Sequence, residues 1–150
     1  QLADSSFVSR KVGAVSRVLV AAPAYLASKG WPQAPADLAP HQLLQHTVLP
    51  YWPLKEAGGT VQVDASQATL RANNLNTLRQ LALAGAGIAL LPRFMVRHDL
   101  ASGSLHHLLP DNPVTENHYY AVYPSRSHRP AALTALLDFI DEYDLASWLA

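Results

Sequence analysis

The chain has 150 residues, 49% of them hydrophobic and 15% charged, and its eleven lysines and arginines balance eleven acidic residues. This composition is that of a compact soluble domain rather than a disordered chain, and a neutral chain has no electrostatic footprint for nucleic acid or an anionic membrane. The absence of cysteine excludes disulfides, thiolate metal sites and cysteine nucleophiles.

The N-terminus is polar and does not begin with methionine, so we expect the chain to start inside a longer protein. It shows no signal-peptide pattern, and no apolar stretch reaches the ~18 residues that a membrane span needs. The absence of cysteine fits the cytoplasm, where we expect the protein to act, and no membrane partner is predicted.

Short strands and turns are predicted along the first half of the chain. β-branched and apolar residues over 15–22 indicate a buried strand, which Pro23 ends by starting a short helix that Gly30 caps. Proline spacing, a diglycine and period-two runs indicate further elements: a helical turn at 36–38, strands at 46–50, 60–65 and 68–72, and a turn at 58–59.

Helices and strands alternate along the second half of the chain. Leucines recur at helical spacing from Leu75, after two asparagines, and the glycines of 85–87 end that helix with a cap and a tight turn. The remaining predicted elements are strands at 88–91, 104–109 and 117–123, helices at 92–100 and 130–143, and a basic loop at 126–129. This alternation, with strands apolar on both sides, predicts an α/β fold with a mixed, largely buried sheet flanked by helices.

The reactive side chains form no recognisable catalytic or metal-binding pattern. The seven histidines are scattered, without a His-Glu-x-x-His motif or an i, i+4 pair on a predicted helix. No serine stands in a nucleophile elbow, and 85–87 follows a helix, whereas a dinucleotide-binding loop follows a strand. We therefore predict no catalytic residue, no metal and no cofactor.

The segment 73–77 (Asn-Asn-Leu-Asn-Thr) is the most informative local feature. It lies at a predicted strand-to-helix junction, where free backbone N–H groups and the positive end of the helix dipole attract a carboxylate. The alternative is ordinary N-capping by asparagine, which local chemistry alone favours because almost every helix needs a cap. The cations nearest to the segment in sequence are Arg71 and Arg79.

Several stretches together resemble the effector-binding domain of LysR-type bacterial transcription regulators. They are residues 17–27 with 35–38, residues 73–92, and the later set 100–105, 120–124 and 131–140, which follow one another in the order and at the spacing of that family. The resemblance covers nearly the whole chain.

The resemblance implies an α/β fold like that of type 2 periplasmic binding proteins, in which a small effector binds between two lobes joined by two crossovers. It divides the chain into a remnant of the first lobe (1–15), the first crossover (16–22), a complete second lobe (23–118), the second crossover (119–124) and the C-terminal helix of the first lobe (125–150). One lobe is therefore incomplete. Effector contacts are expected at the matching positions, which are Pro23, Ala24, Asn73, Asn74, Asn76, Thr77, Tyr123 and Pro124.

The implied function is to sense a small effector, with a carboxylate as a candidate, for a homo-oligomeric regulator that contacts DNA only through a domain absent from this chain. The main alternative is an extracytoplasmic solute-binding protein of the same fold, and an enzyme on this scaffold is a second one. The last helix would normally cover the missing part of the first lobe, so we expect its apolar face to be covered in another way. That face comprises Leu133, Leu136, Leu137, Ile140 and Tyr143.

Overall fold

The computed structural model of the chain describes residues 7–124 and 131–142. The chain divides into two compact units: a terminal unit made of Gln1–Val15 with Glu116–Ala150, and a central unit made of Ser16–Thr115. No helix of the described residues is long and apolar enough to cross a membrane.

A mixed five-stranded sheet forms the centre of the central unit. Its strands are β2 (Arg17–Ala21), β3 (Leu43–His46), β6 (Leu70–Ala72), β7 (Ile88–Pro92) and β8 (His106–Leu108), in the order β6-β3-β7-β2-β8. β3 runs parallel to both β6 and β7, whereas β2 runs antiparallel to both β7 and β8. β4 (Tyr51–Glu56) and β5 (Gly59–Asp64) form a separate antiparallel hairpin.

Two hydrophobic clusters cover the two faces of this sheet. Successive strand residues point to opposite faces, so β2 gives Leu19 to one cluster and Val18 to the other. The first cluster packs under α1 (Pro23–Lys29), a 3₁₀ turn (Pro35–Leu38) and the hairpin, and the second under α2 (Leu75–Leu83) and α3 (Arg93–Ser102). The prediction of a buried mixed sheet flanked by helices is confirmed.

Glycines end the helices where the sequence predicted. Gly30 caps α1 with φ 88°, and Gly103 follows α3 in the left-handed conformation with φ 75°. Gly87 is required for a different reason, because a Cβ atom there would stand 2.3 Å from the carbonyl oxygen of Gln42. Residues 85–87 therefore form a turn after α2, and the backbone at Gly87 lies in close contact with Gln42, the residue before β3.

The structure corrects several predicted strands. The strand predicted over 15–22 is divided at Ser16 between β1 (Phe7–Val15) and β2, and β1 extends into residues for which no strand was predicted. β3 ends at His46, where the predicted strand over 46–50 begins, because the apolar pair Leu43 and Leu44 is what the core buries. β4 was missed altogether, since Pro53 within it is atypical of a strand.

In the terminal unit, β1 pairs antiparallel with β9 (Asn117–Pro124), and α4 spans Ala131–Glu142. Only part of the predicted apolar stripe of α4 is buried: Leu137 is 4% exposed, whereas Leu136 is 54% exposed. The rest of the predicted face is thus not fully covered within this chain, and its covering in another way stays a prediction. Tyr143 and the predicted loop at 126–129 lie outside the described residues.

Candidate functional site

Four strands of the central sheet run toward one edge, and the fifth begins there. β3, β6 and β7 are parallel and end at this edge, β8 runs in the same direction, and the antiparallel β2 begins there, with Arg17 paired to Pro92. Backbone hydrogen bonds join the segments that follow, from Thr47 N to Ala72 O and from Arg93 N to Ser16 O, each 3.0 Å long. We call this the carboxyl edge, and it is where open α/β sheets commonly bind ligands.

α2 begins at the carboxyl edge with an asparagine cap. The Oδ1 atom of Asn74 accepts hydrogen bonds from the backbone N–H groups of Asn76, at 2.8 Å, and Thr77, at 3.2 Å. The cap residue is extended, with φ −128° and ψ 122°, as N-cap residues usually are. Asn74 therefore acts as the N-cap of α2, and its side-chain oxygen is already engaged by the backbone of the helix.

The neighbouring polar side chains are presented to solvent. Asn73, Asn76 and Thr77 are exposed, and within residues 7–124 and 131–142 no hydrogen bond engages their side chains. Two amides and one hydroxyl thus stand at the start of a helix, close to its partial positive charge. This arrangement can donate hydrogen bonds to an anionic or polar group.

The two cations nearest to this segment in sequence are occupied elsewhere. Arg79 binds the buried Asp99 through two hydrogen bonds of 2.6 Å, and this hydrogen bonding raises the pKa of the guanidinium. Arg71 donates to the carbonyl oxygens of Ala68 and Ser66, at 2.9 and 2.7 Å. Both side chains are therefore engaged in contacts within the fold.

A different cation, Arg93, lies at the carboxyl edge. It is exposed and is the first residue of α3, directly after β7. β7 is two strand positions from β6, which is a lateral distance of about 10 Å at the usual strand spacing. Arg93 was not among the predicted site residues, although it follows a buried strand at the start of a helix, as Asn73 does.

A buried amide lies near the same edge on the opposite face of the sheet. Gln45 is 4% exposed, and its Oε1 atom has no hydrogen-bond partner in the described part of the chain. Alternation places its side chain on the face of Leu43, not on the face that α2 covers. Gln45 was not among the predicted site residues, because the predicted strand began one residue after it.

The structure does not bring all the predicted site residues together. Pro23 and Ala24 follow the end of β2, and because β2 is antiparallel to β7 this end lies at the edge opposite the carboxyl edge. In agreement, a Cβ atom on Gly85, just beyond the last turn of α2, would lie 3.8 Å from the backbone nitrogen of Tyr25. Within the central unit, these two residues are therefore separated from the asparagines by the length of α2.

The last two predicted site residues belong to the terminal unit. Tyr123 lies in β9 and is 7% exposed, and Pro124 ends that strand. Within the central unit, the predicted residues that share one location are Asn73, Asn74, Asn76 and Thr77.

The histidines are placed separately. Within the described residues, no three histidine, aspartate or glutamate side chains are grouped so that they could hold a metal ion. His106 packs against Trp31, with ring centroids 5.1 Å apart. Burial, and next the charge of Arg93, lower the pKa of His107.

The chain is similar in sequence to bacterial transcription regulators. The family described as the LysR substrate binding domain matches residues 1–144. The transcriptional activator AaeR of Escherichia coli strain K12 is 33% identical over 144 residues, which are 95% of this chain and 47% of that protein.

Solved structures give the same result. The full-length Vibrio cholerae virulence activator AphB superposes with a TM-score of 0.83 at 34% identity, over 94% of this chain and 49% of that one. The regulatory domain of CrgA from Neisseria meningitidis superposes with a TM-score of 0.77 at 33% identity, over 95% of this chain and 71% of that one.

This chain thus spans about half the length of the curated relatives that it matches. Those relatives are transcription regulators rather than solute-binding proteins, so the alternative of an extracytoplasmic solute-binding protein is not supported. The chain belongs to the LysR substrate-binding-domain family, the effector-binding domain of LysR-type transcription regulators.

Proposed function

We propose that this chain senses a small carboxylate for a LysR-type regulator, and that the carboxylate binds at the carboxyl edge beside the start of α2. The observation that carries this proposal is the set of exposed, unengaged polar side chains at that helix start, namely Asn73, Asn76 and Thr77. Arg93, exposed at the same edge, supplies a positive charge.

The chemistry of the edge favours an anion over a cation. The amide groups and the partial positive charge of the helix start suit a carboxylate, and a guanidinium can bind its two oxygens together. The carboxylates of Asp99 and Asp64 are engaged elsewhere, with Arg79 and with the backbone N–H of Ser66. A ligand of modest size with one carboxylate therefore matches the exposed amides, the helix start and the guanidinium of this edge.

Regulation would follow from differential binding. An effector shifts an equilibrium between two protein arrangements only by its difference in affinity for them. In this proposal, the central unit corresponds to one complete lobe, and the terminal unit contributes to the other. The regulator is a cytoplasmic homo-oligomer that contacts DNA through another domain.

Calorimetric titration with a panel of small aliphatic and aromatic carboxylates tests the proposal. For each carboxylate, the affinity is compared with that of the corresponding uncharged primary amide. Asn76→Leu and Arg93→Gln remove one amide and one charge from the carboxyl edge. Since a hydrogen bond to a charged group is worth about 1.5–3 kcal/mol, each variant should weaken carboxylate binding roughly 10- to 100-fold.

A matched control is available on the same helix. Gln80 is exposed near the other end of α2, so Gln80→Leu makes the same kind of change away from the carboxyl edge. Equal losses in Gln80→Leu and Asn76→Leu would refute the site. Amides that bind as tightly as their carboxylates would refute the proposed ligand class.

A further inference from the structure

Three residues at the edge opposite the carboxyl edge are joined by a short hydrogen-bond chain. The backbone N–H of Gln42 donates to the hydroxyl of Tyr25 at 2.9 Å, and this hydroxyl lies 3.0 Å from Nδ1 of His41. The rings of Tyr25 and His41 are tilted against each other, with centroids 5.7 Å apart. The chain ties α1 to the segment that leads into β3.

One assignment of the protons gives each of the three groups a partner. The N–H of Gln42 can only donate, so the oxygen of Tyr25 accepts there, and the single hydrogen of the hydroxyl needs another acceptor. Within the described residues, that acceptor is Nδ1 of His41. That role requires a neutral His41 with its ring proton on Nε2.

We propose that Tyr25, His41 and Gln42 form a proton-sensitive latch, which opens when a proton from solvent binds Nδ1 of His41. The protonated nitrogen becomes a donor, so the hydroxyl hydrogen of Tyr25 loses its acceptor. Tyr25 is only 5% exposed, and a buried donor without a partner is costly. Protonation therefore weakens the attachment of α1 to the start of β3.

The charged groups around His41 partly oppose one another. Lys29 of α1 disfavours a proton on the ring, whereas Asp37 of the 3₁₀ turn favours it. Asp37 is itself held by the backbone N–H groups of Gln33 and Ala34, at 2.8 and 2.9 Å. Asp64, at the end of β5, lines the same surface depression as His41.

Burial has a larger effect than either charge, and it lowers the pKa of His41 below its ordinary value. The unfolded chain therefore binds the proton more readily than the folded one. The stability that the latch contributes is complete above the ordinary histidine pKa, and it is lost as the pH falls from there through the lower pKa of the folded state.

The latch acts at a tightly packed place in the backbone. Besides donating to Tyr25, Gln42 accepts a hydrogen bond from the backbone N–H of Ile88 at 2.9 Å, and its carbonyl is the group that Gly87 approaches. Movement of the Gln42 backbone would thus also weaken its contacts with the turn between α2 and β7. This hydrogen-bonded joint is at the edge opposite the carboxyl edge, and its opening does not require an effector to bind there.

Hydrogen exchange of the Gln42 amide and NMR titration of His41 test the latch directly. As the pH falls through the titration of His41, the protection factor of the Gln42 amide should drop about tenfold, the ratio that corresponds to one unpaired buried donor. His41→Asn keeps an acceptor near the Nδ1 position and cannot titrate, so its Gln42 protection should not depend on pH. Tyr25→Phe should bring the pKa of His41 back toward its ordinary value.

His98 is exposed on α3, and His98→Asn serves as the matched control that leaves the pH dependence intact. The latch is refuted if the Gln42 protection factor of the unmodified chain stays constant while His41 titrates. It is equally refuted if His41→Asn shows the same pH dependence as the unmodified chain.

Discussion

Replacing Asp99 with alanine should destabilise the central unit more than any exposed substitution on α3. The carboxylate of Asp99 binds Nε and Nη2 of Arg79 at 2.6 Å each, which ties α3 to α2. The side chain of Asp99 is 6% exposed and that of Arg79 is 24% exposed. Removing the carboxylate leaves a partly buried guanidinium without its partner.

The magnitude follows from the burial of the two partners. Breaking a buried ion pair by removing one partner costs about 3–5 kcal/mol. Arg79 is about a quarter exposed, so water can partly solvate it after the change. We therefore expect Asp99→Ala to lower the free energy of unfolding by about 2–3 kcal/mol, and Asp99→Asn to cost less because it keeps one acceptor.

Urea denaturation followed by circular dichroism measures this free energy, and His98→Ala is the control on the same helix. In the double variant Arg79→Met with Asp99→Leu, no charge is left unpaired, so most of the lost stability should return. A cost for Asp99→Ala within about 0.5 kcal/mol of the control, the usual range for surface changes, would refute the reasoning. The single variants Arg79→Met and Asp99→Leu are measured as well, and strict additivity of their costs in the double variant would also refute the reasoning.

Substitutions at three other positions are checked by the same denaturation experiment. Gly87→Ala should cost about 1–3 kcal/mol, because the added methyl group collides with the carbonyl of Gln42, and a cost near zero would show that this contact can relax. Gln45→Met keeps the volume but removes a buried acceptor without a partner, so it should stabilise by about 1 kcal/mol, whereas a loss would reveal a bound partner for that oxygen. Asn74→Ala should cost about 1 kcal/mol through loss of the cap of α2, while Asn74→Asp should cost nothing, and equal losses in both would contradict the capping role.

Local chemistry was enough to predict the helices of the central unit. The cap of α2 by Asn74 and the end of α3 at Gly103 each depend on a few neighbouring residues, and these are readable without the fold. Strand limits were less predictable, because burial rather than β-propensity decides them. The core takes Leu43 and Leu44 into β3 and leaves Val48, a residue typical of strands, 79% exposed.

Partnerships between distant residues could not be predicted. Nothing in the sequence pairs Arg79 with Asp99, twenty positions away, or Tyr25 with His41, because such contacts exist only once helices pack on the sheet. The sequence therefore indicated that Arg71 and Arg79 are near the asparagines, but it did not indicate that both are engaged in contacts within the fold.

The direction of β2 explains which predicted site residues came together. The rule that ligands bind after the ends of strands is useful only for strands that run the same way, and a sequence does not state that direction. β6 and β7 are both parallel to β3, so Asn73 and Arg93, which follow them, lie at one edge. β2 is antiparallel to β7, so Pro23 lies at the other edge, where the Tyr25 latch is found. The carboxyl edge and the latch thus lie at opposite edges of one sheet.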